Sequence, residues 1–421
     1  MTENKFPDNF LWGTAASAYQ TEGGNVNCDW HFEEKKEMAK PGPERRLSSE
    51  AGKATDFWNR YKEDFDCAQE MGVKIHRLSI EWSRIFPGEN KVDEKALEHY
   101  REIIKDLKSR GISTMICLHH FTLPQWVTEK GGLLNLGFTL ENFKRFAETI
   151  VEALGDLADY WITVNEPTIV AGSGYMEGNF PPFQKERKLY FNALKTLLPM
   201  HNETYKIIKA KYPDTPVGIA HAFQHFQPYR KNNIIDRVGA SSAMKMMNYL
   251  YLCALYTGRI SWSGTFKKKR KTKPLLDFVG INYYNTNYMK GARWHPPRDD
   301  EELTDMGWII CPQGLADVLQ RTYDLYKLPI IITENGIATN DEQQRIRYTA
   351  KHLKEVLAAI NKGIDVKGYM HWSLTDNYEW AEGYGMRFGL VHIDYDTFKR
   401  TIKAGGKWYK KTIEGNCIAE Y

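Results

Sequence analysis

The sequence predicts an α/β fold, a single (β/α)8 barrel domain that spans residues 1–421. Eight short apolar or β-branched runs recur along the chain, and most are separated by segments with helical periodicity. Apolar strands that alternate with helices indicate a parallel sheet with both faces covered. Eight repeats favour a closed barrel, and no G-x-G-x-x-G follows a strand to favour an open sheet. No linker rich in Pro, Gly or Ser divides the chain, which favours one domain.

The predicted strands are each bounded by turn residues. In chain order they read FLWGTAASAY, KIHRLSI, STMICLHH, YWITVN, PVGIAHAF, LDFVGINYY, PIIITEN and VKGYMHW. Helical periodicity is clearest in four long segments that close near Gly or Pro. These segments are ALEHYREIIKDLKSRG, LENFKRFAETIVEALGD, KLYFNALKTLLPMHNETYKIIKAKY and EQQRIRYTAKHLKEVLAAINKG.

The composition excludes several classes of protein. Hydrophobic residues make up 42% and charged residues 26%, which is typical of a folded, soluble globular protein. The formal net charge of +4 is small and evenly spread, so we expect neither a nucleic-acid nor a membrane partner. A basic run, KKKRKTK at residues 267–273, is predicted to be a solvated loop without a function of its own.

The cysteines and histidines do not indicate a metal site. The six cysteines are scattered and form no C-x-x-C pair, and no H-E-x-x-H motif is present. We therefore predict neither a metal nor a cofactor. The dispersed cysteines fit a reducing compartment, and MTENKFPDNF lacks the features of a signal peptide. The expected location is cytoplasmic, and the sequence leaves the oligomeric state open.

Polar and aromatic side chains end most of the predicted strands. In a (β/α)8 barrel the active site is built at these carboxyl ends, so such residues are candidates for function. The candidates are Gln20, Arg77, His120, Asn165, Glu166, Asn282, Tyr284, Glu334, Trp372, Glu379 and Trp380. The fifth strand offers only His221 and is the weakest member of the series.

Two of the candidates, Glu166 and Glu334, form the pair of carboxylates that glycoside hydrolysis requires. Strand ends on opposite sides of a small barrel place such a pair across a gap the size of a sugar. A single glutamate at a strand end more commonly caps a helix or forms a surface ion pair. Here both glutamates follow apolar runs, and Pro167 and Gly336 mark sharp turns just after them. The pair therefore predicts a hydrolase that works without a cofactor.

Five blocks of the sequence carry a resemblance to a known family. They are FPDNFLWGTAASAYQTEGG at the amino terminus, RLSIEWSRIFP at the second strand, LHHFTLPQW at the third strand, TVNEP and ITENG. These blocks resemble those of glycoside hydrolase family 1, the β-glucosidase family, and the resemblance covers nearly the whole chain. It implies that Glu166 of TVNEP is the acid/base and Glu334 of ITENG the nucleophile of a retaining enzyme.

The resemblance also implies roles for the other candidates. The residues expected to bind the sugar are Gln20, His120, Asn165, Tyr284, Trp372, Glu379 and Trp380, with Asn165 at the 2-hydroxyl. Arg77 and Asn282 are expected to support them, and Arg77 beside the nucleophile would keep it ionised. Glu166 must begin protonated, which requires burial or the negative charge of Glu334 to raise its pKa.

The same resemblance narrows the expected substrate. Glu379 accepts hydrogen bonds from uncharged hydroxyls and would repel a 6-phosphate, whereas phosphosugar-specific relatives carry Ser and Lys in this segment. Relatives of the thioglucosidase type replace the acid/base with Gln, and this chain keeps Glu166. The expected function is therefore a retaining exo-β-glycosidase that acts on unphosphorylated β-D-glucosides and also accepts β-galactosides and β-fucosides.

Two other functions stay open at this point. A transglycosylase of the same family would pass the sugar to an acceptor alcohol, and a pseudoenzyme would bind sugar without turnover. The chain also departs from the family between the fourth and seventh strands, where residues 225–275 are expected to be too short for the usual loops and helices. Trp308 resembles a loop position on the aglycone side of the substrate.

Overall fold

In the computed structural model, which describes residues 5–257 and 274–421, eight parallel strands form a closed barrel. They are β1 (Leu11–Ala15), β2 (Ile75–Ser79), β3 (Ser113–Cys117), β4 (Tyr160–Asn165), β5 (Val217–Pro228), β6 (Phe278–Lys290), β7 (Ile330–Asn335) and β8 (Val366–Trp372). Each strand pairs in parallel with the next along the chain, and the pairing of β8 with β1 closes the ring. The predicted fold class is confirmed. The basic loop predicted at residues 267–273 lies outside the described residues.

Helices connect the strands and form the outer layer. The longer ones are Asp29–Met38, Phe57–Glu70, Glu94–Ser109, Leu136–Leu154, Arg187–Lys211, Ile234–Met244, Pro312–Tyr326, Glu342–Asn361 and Ala404–Gly415. Short helical segments are Ala18–Thr21, Gly42–Glu44, Trp82–Ile85, Gln125–Glu129, Gly132–Leu134, Gly155–Leu157, Pro167–Gly172, Ser173–Glu177, Lys245–Tyr249, Leu250–Thr257 and Trp380–Glu382. Short strands outside the ring are Arg293–His295, Val391–Ile393 and Arg400–Ile402. Within the described residues, no helix combines the length and apolar character needed to cross a membrane.

Capping side chains explain where two of the predicted helices begin. Asp93 accepts a hydrogen bond from the backbone amide of Ala96 at 3.0 Å, and Asp341 accepts one from that of Gln343 at 2.8 Å. A short polar side chain at this position satisfies one of the N–H groups that a helix start leaves unpaired. The helices that follow, Glu94–Ser109 and Glu342–Asn361, confirm two of the four long helical segments predicted from periodicity.

The barrel interior and the helical layer have separate apolar cores. In β3, Met115 and Cys117 belong to the cluster inside the barrel, whereas Ile116 belongs to the cluster packed against the helices. Successive side chains of a strand point to opposite faces, so one apolar run supplies both cores. Burial on both faces is the reason that the predicted strands read as nearly continuous apolar runs.

The connection between β5 and β6 contains helices within residues 225–275, the segment that is expected to be too short for the usual loops and helices. Helix Ile234–Met244 packs against β5 and β6, and Leu250–Thr257 follows it. The side chain of Asn233 accepts hydrogen bonds from the backbone amides of Ile235 at 3.0 Å and Asp236 at 3.1 Å. The cap thus starts a helix only a few residues after β5 ends, and the expectation that the segment is shorter than usual in the family stays a prediction.

Gly336 fixes the contact between the ends of β7 and β8. A Cβ atom built on this residue would lie 1.8 Å from the carbonyl oxygen of Trp372, far closer than two such atoms can approach. Only glycine therefore lets the chain leave β7 directly beside the end of β8. The position of Glu334, two residues earlier on β7, depends on this contact.

We expect Gly336→Ala to lower the free energy of unfolding by about 1–3 kcal/mol, because the added methyl group forces the two strand ends apart. Gly137→Ala is the matched control, since Gly137 lies in helix Leu136–Leu154 with open space at its Cβ position. Alanine there should be neutral or stabilising by up to ~1 kcal/mol. Urea denaturation of both variants measures the difference, and equal stabilities would contradict the expectation.

Candidate active site

A cavity of about 360 Å³ lies at the carboxyl ends of the barrel strands. All of the predicted site residues except Arg77 line it, namely Gln20, His120, Asn165, Glu166, Asn282, Tyr284, Glu334, Trp372, Glu379 and Trp380. Arg77 on β2 is fully buried and reaches the site through its hydrogen bond to Glu334. Small-molecule sites in proteins have volumes in this range. The structure therefore brings the sequence candidates together in one place.

The carboxylate of Glu334 is held at both oxygens. Arg77 donates a hydrogen bond from Nη1 to Oε1 and forms an ion pair with it, and Tyr284 donates from its hydroxyl to Oε2 at 2.6 Å. Nη2 of Arg77 donates to Oδ1 of Asn165 at 2.6 Å. Burial, and next the charge of Glu334, raise the pKa of Tyr284 well above its usual value, so the phenol keeps its proton. Glu334 is thereby fixed in orientation by two donors with little exposure to solvent.

Glu166 lies directly after β4 with a left-handed backbone, at φ +47°. Asn282 donates from Nδ2 to Oε1 of Glu166 at 2.7 Å, and Thr333 donates from its hydroxyl to Oδ1 of Asn282 at 2.7 Å. Thr333 thereby decides which way the Asn282 amide points. Burial, and next the charge of Glu334, raise the pKa of Glu166 to about 8. Glu166 therefore holds a proton at neutral pH, and both causes expected from the sequence act on it.

Gln20 and Glu379 form a polar corner of the cavity. Ser17 donates a hydrogen bond to Oε1 of Gln20 at 2.6 Å. Gln20 donates from Nε2 to the carbonyl oxygen of Tyr378 at 2.9 Å and to Oε2 of Glu379 at 3.3 Å. Burial, and next the charge of Glu334, raise the pKa of Glu379 to about 8. Hydroxyl groups that donate to Glu379 would favour its charged form, so this corner suits a ligand rich in hydroxyls.

Aromatic rings form another part of the wall. The ring of His120 lies 6.0 Å from that of Trp372 and 6.0 Å from that of Trp380, at interplanar angles of 22° and 15°. Burial, and next the charge of Arg77, lower the pKa of His120 well below its usual value, so the ring is neutral. Nδ2 of Asn165 lies 3.2 Å from Nε2 of His120, which assigns Nε2 as the acceptor and leaves the ring proton on Nδ1.

Several residues that line the cavity were missed by the sequence analysis. No strand-end pattern marks Phe121, Asn179, Phe180, Met306 and Phe388, which lie on loops, or Glu177 and Glu382, which lie in short helical segments. β5 contributes Ala222 and Phe223, whereas the ring of His221 lies 6.2 Å from that of Tyr251 and lines no part of the cavity. Alternation along the strand was the signal that separates His221 from Ala222. Within residues 5–257 and 274–421, no group of three or more His, Cys, Asp or Glu side chains is placed to hold a metal ion.

Comparison with known proteins identifies the family. The model of glycosyl hydrolase family 1 matches residues 2–418. The chain belongs to glycoside hydrolase family 1. β-Glucosidase A of Thermotoga maritima is 34% identical over 100% of both chains. A β-galactosidase of Saccharolobus solfataricus is 33% identical over 99% of this chain and 96% of its own. A 6-phospho-β-galactosidase of Clostridium acetobutylicum is 31% identical over 97% of each chain.

Solved structures of the family superimpose on nearly the whole chain. A β-glycosidase from Pyrococcus horikoshii has a TM-score of 0.88 and 36% identity, covering 99% of this chain and 96% of its own. The T. maritima β-glucosidase in complex with glucoimidazole has a TM-score of 0.89 and 32% identity, covering 99% of this chain and 100% of its own. The family predicted from the sequence blocks is confirmed, and the chain is an O-glycosyl hydrolase of the β-glucosidase type.

We expect Glu334→Gln to lower the pKa of Glu166 from its value of about 8. The neutral amide no longer opposes ionisation of its neighbour, which should lower this pKa by roughly one pH unit or more. The pKa should stay above that of a free glutamate because burial is the larger cause. NMR titration of ¹³C-labelled glutamate carboxyls measures it, with Glu166→Gln to assign the resonance.

Glu379→Gln is the matched control for this titration. Its charge is not among the main influences on Glu166, so the pKa of Glu166 should change less in this variant than in Glu334→Gln. Equal changes in the two variants would show that the general field of the cavity, rather than Glu334, keeps Glu166 protonated.

Proposed function

We propose that the protein is a retaining exo-β-glycosidase that hydrolyses unphosphorylated β-D-glucosides within a single catalytic domain. The observation that carries this proposal is the contrast between the two carboxyl groups. Glu334 is oriented by its ion pair with Arg77. Glu166 has a pKa of about 8 and keeps its proton below that pH. A nucleophile and an acid in one cavity are the two groups that a double displacement needs.

In the first step, Glu334 attacks the anomeric carbon of the sugar. The bond between this carbon and the glycosidic oxygen breaks, and Glu166 gives its proton to the leaving oxygen. The proton of Glu166 is available below about pH 8, so hydrolysis should weaken as the pH rises through this value. Asn165 supports the step, because Arg77 holds its side chain beside the nucleophile, where a 2-hydroxyl would lie.

In the second step, water replaces the leaving group. Glu334 carries no charge once it is esterified, so one of the causes that raise the pKa of Glu166 is removed. Glu166 then takes a proton from water, the oxygen of the water attacks the anomeric carbon, and Glu334 leaves as a carboxylate. Two displacements on the same carbon retain the β configuration.

The charge of the cavity supports an uncharged glycone. The carboxyl groups that line it are those of Glu166, Glu177, Glu334, Glu379 and Glu382, and no Lys or Arg is among the described lining residues. A phosphate group on the sugar would therefore find acidic side chains and no lining cation to pair with. A relative that aligns over 97% of its own chain is a 6-phospho-β-galactosidase, so the residues of this cavity, and not membership of the family, support an uncharged glycone. β-Galactosides and β-fucosides, which are equally uncharged, complete the proposed substrate range.

A cytoplasmic location is part of the proposal. Cys28, Cys67, Cys117, Cys311 and Cys417 form no disulfide bond, and Cys28 and Cys117 are buried. Unpaired cysteines in this number are usual in a reducing compartment.

A 2-fluoro-β-glucosyl fluoride should label Glu334, because the fluorine slows breakdown of the glycosyl-enzyme and lets the adduct accumulate. Intact mass and a peptide map identify the labelled residue. Glu334→Gln should remain unlabelled and lose a factor of roughly 10³ or more in kcat for aryl β-glucosides. Glu148→Gln, at an exposed position on helix Leu136–Leu154, is the control and should behave like the wild type.

Two results of the labelling experiment would contradict the proposal. Sugar binding without an adduct and without turnover would indicate a pseudoenzyme. Preferential transfer of the sugar to an added alcohol, measured by product analysis, would indicate a transglycosylase.

Discrimination against 6-phosphate sugars provides an independent test. We expect kcat/KM for an aryl β-glucoside to exceed that for its 6-phosphate by at least about 100-fold, because like charges in a buried site are costly. Glu379→Gln should reduce this ratio when it is measured near pH 8, where a substantial part of Glu379 is ionised, since the variant removes that buried charge. The exposed Glu382 is screened by solvent, so Glu382→Gln should change the ratio less. A wild type that prefers the 6-phosphate would overturn the proposed substrate class.

A further inference from the structure

Cys311 lies in a cluster of polar side chains that is separate from the active-site cavity. It directly precedes helix Pro312–Tyr326 and forms no disulfide bond. The residue is partly exposed, and it does not line the active-site cavity. The proposed glycosidase mechanism makes no use of it. A thiol in this position is open to small reagents from the solvent.

His225 on β5 places a positive charge next to this thiol. Its Nε2 forms an ion pair with Oδ2 of Asp317 at 3.3 Å, and its Nδ1 lies 2.8 Å from the hydroxyl oxygen of Thr286. Burial lowers the pKa of His225, but hydrogen bonds to Asp317 and Cys311 outweigh this effect and raise the pKa to about 9. A protonated histidine donates from both ring nitrogens. Cys311 therefore has an imidazolium as its neighbour at neutral pH.

Two further features favour negative charge on the sulfur of Cys311. Gln227 follows His225 by two residues, on the same face of β5, and donates from Nε2 to Sγ at 3.5 Å. Cys311 also stands at the amino end of a helix of 15 residues, where the helix dipole is positive. A cationic neighbour and a helix start are the surroundings in which thiols ionise and become nucleophilic.

Gly314 keeps these groups close together. A Cβ atom built on this residue, in the first turn of the helix, would lie 2.8 Å from Nδ1 of His225 and 2.1 Å from the hydroxyl oxygen of Tyr283. Tyr283 in turn donates a hydrogen bond to the carbonyl oxygen of Cys311 at 2.7 Å. The bare backbone of Gly314 thus lets the helix start pack directly against β5 and β6. The imidazole and the thiol are held in place by the fold.

Three other cysteines have surroundings that do not favour a thiolate. Burial raises the pKa of Cys67 to about 12 and that of Cys117 to about 11. Cys417 is partly exposed, as Cys311 is, but it follows the carboxyl end of helix Ala404–Gly415, where the helix dipole is negative. Cys417 therefore serves as a reference thiol of similar exposure within the same molecule.

We propose that Cys311 is a reactive thiol that peroxides oxidise to a sulfenic acid, with His225 as the group that activates it. The thiolate sulfur attacks one oxygen of hydrogen peroxide, and the O–O bond breaks. The sulfur keeps this oxygen as the sulfenic acid, and the other oxygen leaves as hydroxide, which takes a proton from His225 to form water. The sulfur loses two electrons, and the peroxide gains them.

The test measures the reaction rate of each cysteine in the full chain. Iodoacetamide at pH 7 reports the thiolate, and hydrogen peroxide followed by dimedone traps the sulfenic acid, with both adducts located by peptide mass mapping. Cys311 should react at least about tenfold faster than Cys417 with both reagents. Cys311→Ser should remove the fast adduct and leave the adduct on Cys417 unchanged.

Substitution of His225 tests which group activates the thiol. His225→Gln should slow the reaction of Cys311 with iodoacetamide at pH 7 by about tenfold, because the cation is lost. Asp317→Asn, at an exposed carboxylate, should slow it as well, since Asp317 helps to keep His225 charged. His99→Gln is the matched control, because His99 pairs with Glu102 on helix Glu94–Ser109 and should leave the rate unchanged.

The same rates at about pH 10 separate activation from a structural role. The thiol ionises there without help, so the difference between the wild type and His225→Gln should shrink. A difference of the same size at both pH values would assign His225 a structural role and overturn the proposal. Equal rates for Cys311 and Cys417 at pH 7 would overturn it too. Mass mapping does not depend on sugar turnover, so failure of the proposed function leaves this test intact.

Discussion

The active site depends on the buried guanidinium of Arg77. A cation inside a protein is tolerated only when it is paired and hydrogen bonded. Arg77 donates hydrogen bonds to Glu334 from β7 and to Asn165 from β4, so one charge on β2 joins three strands of the barrel. Loss of one partner from a buried pair typically costs roughly 3–5 kcal/mol, because the other charge remains buried. Glu334 is therefore required by the fold as well as by the proposed chemistry.

The same arrangement gives the two glutamates different partners. Glu334 has a cation and a phenol as partners, whereas Glu166 has the neutral amide of Asn282, which Thr333 orients. Burial and the neighbouring negative charge then keep the proton on Glu166. In the proposed mechanism Glu166 can therefore serve first as the acid and then as the base, because its pKa depends on the charge of Glu334.

The barrel and most of the site were predictable from the sequence for a physical reason. Strands buried on both faces give continuous apolar runs, and a barrel gathers the residues at their carboxyl ends. Loop residues such as Phe180 and Met306 could not be predicted in this way, because their positions depend on tertiary packing and have no period. Strand Arg293–His295, which pairs with β6, has only a weak signal in the sequence. This signal is Gly291, which adopts φ +63° in the turn between the two strands.

The left-handed backbone at Glu166 lowers stability at a position where the proposed catalysis needs the glutamate side chain. A residue with a side chain in this conformation is strained by about 1–2 kcal/mol, and glycine or asparagine adopts it more readily. Neither replacement carries a proton that can be given to a leaving group, and both remove a carboxyl group whose burial disfavours its charge. Laboratory evolution that selects for heat resistance alone would therefore favour variants in which Glu166 is replaced and activity is lost. Selection for turnover has to accompany selection for stability if the acid is to be kept.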